Sequence, residues 1–108
     1  MNNDFILFDL NAYLKANQSD WWQNYYLTMS NTLFHFLLDN NLLIDISPFD
    51  EKGNLDKTIV IKKSNLKPEG VELFKKTIPN WAKSHEKGTP IEKITILEKG
   101  LVKIKKTL

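Results

Sequence analysis

Between Asp20 and Asp39, the residues Trp22, Tyr26, Met29, Leu33, Phe36 and Leu37 recur at the three- and four-residue spacing of one helix face. That pattern predicts a single amphipathic helix over about 20–39, whose apolar stripe needs a covering layer. Ser19 and Asp20 open it. Asp20 and Gln23 have capping-box spacing, with Asp in place of the usual Ser or Thr. Asn40-Asn41 close it, because Asn tolerates the left-handed backbone that ends a helix. Trp21, Tyr25 and Leu38 widen the apolar surface; they are expected in the core, a partner surface being the other use.

The residues around this helix call for both strands and helices. The run Phe5–Phe8 is too short to assign, and Asn11 is a suitable cap for a short helix through Ala12, Tyr13 and Leu14. Residues 42–63 read as a central β-hairpin. Ile44 and Ile46 alternate with Asp45 and Ser47, Ile59 and Ile61 with Val60 and Lys62, and Asp50–Asn54 with Gly53 supplies the turn. Pro68 and Glu69 suit the start of another helix. Val71, Phe74, Ile78, Trp81 and His85 follow one of its faces. Pro79 predicts a kink or a restart, giving segments of roughly 68–77 and 79–86, with Gly88 as the stop. Residues 91–107 fit a helix through Ile94, Leu97, Leu101, Ile104 and Leu108. They also fit a hairpin turning at Glu98-Lys99-Gly100, since Gly inside a helix costs up to about 1 kcal/mol relative to Ala. The helix is the preferred reading. The expected fold class is therefore α+β, with a long N-terminal helix, a central β-hairpin, a helical C-terminal half and a winged-helix-like layout.

A chain of 108 residues matches a single domain over 1–108. It has no cysteine, which removes a disulfide framework, a thiolate zinc site and a cysteine nucleophile together. No run approaches the roughly 20 apolar residues of a membrane span. Met1-Asn2-Asn3-Asp4 lacks a basic leader, so a cytoplasmic location is expected. Charge is lopsided. Residues 1–56 carry eight acids and two lysines (−6), and residues 57–108 carry thirteen lysines and five glutamates (+8). Either a charged partner meets one face, or folding interleaves the halves.

Chemistry is thinly represented. His35 and Asp39, four apart on a helix, could pair as an acid–base dyad, although a solvated pair is the simpler reading. His85 follows Trp81 by one turn and is expected to pack or cap the helix end. The four glycines are dispersed and build no phosphate loop, and no nucleophile elbow or metal-ligand spacing occurs. An enzyme is not expected, and no cofactor or metal is implied. A winged-helix nucleic-acid reader is the alternative. However, residues 16–51 contain no lysine or arginine, and the chain has no arginine at all, which disfavours sequence-specific reading. The acids Asp39, Asp45, Asp50, Glu51 and Asp56, opposed within that stretch only by Lys52, could instead cover the basic substrate cleft of a nuclease. Phe49 or Trp21 could anchor the contact.

Leu66-x-x-x-Gly70-x-x-x-Phe74, then Trp81, Gly88 and Leu97-Glu98-x-x-Leu101, resemble the C-terminal half of small bacterial immunity proteins of polymorphic toxin systems. The contact-dependent growth-inhibition immunity proteins are among these. The resemblance covers about residues 60–108 and implies a cytoplasmic protein that binds and blocks a cognate toxin domain, often a nuclease. It also favours helix over hairpin for residues 91–107. Pro79 and Gly100 depart from the uninterrupted helices it implies, and no toxin-binding residue carries over.

Overall fold

The first polar side chains after Asp4 already fix the local structure. Asp9 ends an extended segment and takes the N-cap position of a helix, where the Ala12 N–H donates to its carboxylate (3.1 Å). The computed structural model describes residues 4–108, and in it β1 (Ile6–Asp9) runs directly into α1 (Leu10–Ala16). The cap is thus Asp9 and not Asn11. After α1 the chain turns at Asn17–Ser19 into α2 (Asp20–Asp39). Ser19 caps α2, accepting from the Trp22 N–H at 3.4 Å. The Gln23 amide reaches back to donate to the Leu14 and Asn17 carbonyls (2.6 and 2.8 Å), satisfying the exposed end of α1.

The expected helix over 20–39 is present, preceded by two shorter elements. It ends as the two asparagines suggest. Asn41 adopts φ 55°, and the Leu42 and Asn41 N–H groups donate to the Leu37 and Leu38 carbonyls (3.0 Å each). This is the Schellman closure. Met29, Leu33, Phe34, Phe36 and Leu37 are buried along α2.

The central hairpin does not form. β2 (Val60–Lys62) pairs antiparallel with β1, placing Phe8 opposite Ile61 and Asp9 opposite Val60. Residues 42–44 lie instead beside residues 65–67, through Ile44 N–H to Asn65 O (2.7 Å) and Lys67 N–H to Leu42 O (2.9 Å). Asp45 adopts φ 53°, which interrupts the extended run that the Ile44–Ile46 alternation suggested. The turn at Asp50–Asn54 survives, with Gly53 at φ 83°, inside a loop closed by one bridge between Phe49 and Leu55. The helix–hairpin–helix order of a winged-helix layout is therefore not formed by residues 20–86.

The α+β class and the helical C-terminal part are as expected, and two helical segments meet next to Pro79, at residues 77 and 78. α3 (Pro68–Glu72), a π-helical turn (Leu73–Thr77) and α4 (Ile78–Glu86) form one continuous rod. Pro79 lacks an N–H, and its ring would press on the carbonyl of Lys75 in a regular α-helix. The wider π turn, in which the Ile78 N–H donates to the Leu73 carbonyl, absorbs that conflict without a break. Leu73, Thr77 and Trp81 are buried at four-residue intervals along the rod. Gly88 (φ 99°) ends it in a second Schellman closure, with Thr89 N–H to Ser84 O at 3.0 Å and Gly88 N–H to His85 O at 3.1 Å.

α5 (Thr95–Thr107) packs on α3, the π turn and α4. Gly100 lies inside it because a Cβ there would overlap the Thr77 side chain, 2.5 Å from its Oγ1. Fully buried Trp81 ties the connection to the core, its indole N–H donating to the Lys93 carbonyl (3.1 Å). The buried side chains of β1, α2, β2, the rod and α5 form one apolar cluster. No helix of the described residues is long and apolar enough to cross a membrane.

Candidate functional site

Two regions stand out, at opposite ends of α2. The first contains the acids singled out from the sequence, and the structure divides them by role. Asp50 organises its own loop. Its Oδ1 accepts from the Lys52 and Asn54 N–H groups (2.9 Å each), a turn-forming use of aspartate. The Asn54 N–H, assisted by that of Lys52, holds the Asp50 carboxyl below the usual aspartate range. Asp56 does the same one turn on, accepting from the Thr58 N–H (2.9 Å) and hydroxyl (2.6 Å). Asp39, Asp45 and Glu51 are exposed, and no hydrogen bond or ion pair engages their side chains among the described residues.

His35 connects this loop to the helix. Its ring stacks on Phe49 with centroids 4.4 Å apart and planes at 23°. His35 is joined to Asp39 by no hydrogen bond or ion pair among the described residues, so an acid–base dyad is not assembled there. The stack draws the Phe49–Asp56 loop to the C-terminal turns of α2. Two aliphatic side chains sit at the same end: Leu38 is 43% exposed and Ile44 37% exposed. Leu38 precedes Asp39 and Ile44 precedes Asp45, so each exposed apolar group has a free acid as its chain neighbour. Leu38 is thus not in the core, contrary to expectation.

The second region lies at the start of α2. Trp21, Trp22, Tyr25 and Tyr26 form one wall of a groove of about 930 Å³. Phe74, Ile78 and Ala82 of the rod form the other, and Leu7, Phe8 and Tyr13 close one end. Trp21 is 66% exposed and Tyr25 only half-buried, which corrects their expected place in the core. The rings support one another. Trp21 lies parallel to Tyr25 (5.8 Å, 6°), Trp22 to Tyr26 (5.7 Å, 26°) and Tyr26 to Tyr13 (5.1 Å, 8°). One polar contact spans the groove, between the Tyr25 hydroxyl and His85 Nδ1 at 2.9 Å. His85 also packs edge-on to Trp81 (4.5 Å, 79°). Loss of hydration pushes the His85 pKa down, and the charge of Glu92 opposes this only in part.

Sequence reasoning assigned the acids but passed over this groove. A signal was present: four aromatics within Trp21–Tyr26 occupy two adjacent stripes of a helix, more than one buried face accommodates. Among the described residues, no group of three or more His, Cys, Asp or Glu side chains is placed to hold a metal ion. No family model, curated protein or solved structure matches the chain.

Proposed function

We propose that this chain is an immunity protein, which binds a cognate bacterial toxin domain and occludes its active site. The observation that carries the reading is the C-terminal end of α2. There, exposed Leu38 and Ile44 sit beside the unpartnered acids Asp39 and Asp45, with Glu51 on a loop held close by the His35–Phe49 stack. An apolar centre with a charged rim is the anatomy of a protein interface. Acids of one sign suit a basic partner such as the substrate cleft of a nuclease, accelerating encounter and rejecting wrong partners. Asp50 and Asp56 then serve as the frame that holds the loop, and Asp39, Asp45 and Glu51 as the groups that meet the toxin. No catalysis is ascribed to the chain, and it would act in the cytoplasm.

A nucleic-acid-binding reading has less behind it. All the lysines of residues 57–108 except Lys67 are exposed, but they are dispersed over β2, the rod, α5 and the segments between them, and among the described residues no hairpin wing accompanies them.

The test is capture of a partner on the tagged chain from its native cells, followed by co-expression with the toxin domain so recovered. A stoichiometric complex, with toxicity abolished, supports immunity. A folded protein that neither binds nor neutralises that domain removes it.

A further inference from the structure

We infer that the Tyr25–His85 contact is a proton-sensitive latch, which holds the start of α2 against the end of α4 while the imidazole is neutral and releases it when the imidazole is protonated. The latch is independent of the acidic end of α2 and works whether or not a toxin docks there.

The start of α2 has few ties to the rod. Residues 20–28 include no buried side chain, and burial along the helix begins at Met29. Gln23 and the stacked Tyr13–Tyr26 pair bind this segment to α1 and its end. Toward the rod, the contact between the Tyr25 hydroxyl and His85 Nδ1 (2.9 Å) is the sole hydrogen bond from α2 among the described residues. Its other side is fixed, because α4 is anchored one turn earlier by fully buried Trp81. A helix end with little burial and one polar tie is the kind of segment that opens locally while the core stays folded.

The surroundings of His85 suit the neutral ring and not the charged one. Nδ1 meets the Tyr25 hydroxyl, and Nε2 is buried with no hydrogen-bond partner among the described residues. Protonation puts an N–H on both nitrogens, so a charged donor would lie buried at Nε2 without an acceptor, which costs far more than an unpaired neutral group. Trp81, 4.5 Å away, has no acceptor atom to offer: an indole nitrogen only donates, and its N–H is bound to the Lys93 carbonyl. The other titratable groups around the ring are Tyr25 and Tyr26 of α2, Lys83 and Glu86 of α4, and Glu92 of the connection to α5. Burial pushes the Tyr25 phenol up, so it stays uncharged where an imidazole titrates. Lys83 and Glu86 carry opposite charges. Glu92 is exposed; its charge favours the imidazolium, but loss of hydration outweighs it. Turning the charged ring toward water rehydrates Nε2 and breaks the Tyr25 contact.

The chain has no cysteine, so nitroxide labels at Asn24→Cys and Lys87→Cys, both exposed positions, report the distance from the start of α2 to the end of α4. That distance is measured by pulsed electron resonance on the intact chain from about pH 8 to about pH 5, beside the His85 ring titration by NMR and far-ultraviolet dichroism. The expected result is a short, narrow distance at the upper pH and a longer, broader distribution at the lower. Its midpoint should match the His85 titration and lie below 6.5, with the dichroism constant. In His85→Phe the distance should not respond to pH. Tyr25→Phe removes the other half of the latch, so the longer distribution should be present already at the upper pH. A distance that ignores pH, a change that persists in His85→Phe, an imidazole that titrates at or above 6.5, or dichroism lost in step with the distance would each overturn the inference. The labelled chain with both latch residues intact decides the matter if His85→Phe folds poorly.

Discussion

Gly100 of α5 lies so close to Thr77 of the π turn that no side chain fits between them. A Cβ on Gly100 would be 2.5 Å from Thr77 Oγ1 and 3.0 Å from its Cβ. The two helices cross where one carries no side chain and the other a buried, β-branched one.

Gly100→Ala is therefore expected to destabilise the fold, although alanine is the better helix former. Overpacking costs about 1–3 kcal/mol, against roughly 1 kcal/mol gained in helix propensity. Denaturant unfolding of Gly100→Ala, Thr77→Ala and the double variant checks this. The double variant should lose less than the sum of the single losses, because Thr77→Ala removes the atoms that collide.

The same pair explains where the sequence was readable and where it was not. α2 was legible because its apolar spacing, Ser19 and the two asparagines agree with one another. Residues 95–107 were ambiguous because the reason for Gly100 lies at Thr77, far away in the chain. The β1–β2 pairing is non-local in the same way, joining Phe8 to Ile61, whereas the local alternation at Ile44–Ile46 looked equally strand-like until Asp45 turned out left-handed. Pro79 was recognised as a disturbance, but a π turn and a break make the same demand on sequence. Of the acids, Asp50 and Asp56 carry turn spacings toward Asn54 and Thr58 that could have separated them from Asp39, Asp45 and Glu51.

His85 makes stability depend on pH in a definite direction. Its folded pKa is depressed below the ordinary value of 6.5, chiefly by loss of hydration. A base depressed on folding contributes stability fully above its unfolded pKa and loses it as pH falls through the folded value. The melting temperature should therefore decline as pH drops below about 6.5, and His85→Phe should flatten that part of the profile. An unchanged profile in the variant would assign the decline to other groups.

Asp50 should matter to its loop and little to the core. Asp50→Ala removes the acceptor for the Lys52 and Asn54 N–H groups, so those amides should exchange hydrogen faster and the loop should be cut sooner by protease. Asp50→Asn keeps an oxygen in place and should behave in between. The wild-type carboxylate is held below the usual range, so its contribution is present above the unfolded value of 3.8 and is lost as pH falls through the lower folded value.

The measurement that bears most directly on the proposed function is the association rate of the chain, at low and high salt, with the toxin domain captured on it from its native cells. It should be made on the wild type and on the triple variant Asp39→Lys, Asp45→Lys, Glu51→Lys, which spares the loop-forming Asp50 and Asp56. The account predicts that the folded triple variant associates about tenfold or more slowly at low salt, with the difference shrinking at high salt, and that it no longer neutralises the toxin. A triple variant that binds and protects as the wild type does would contradict it.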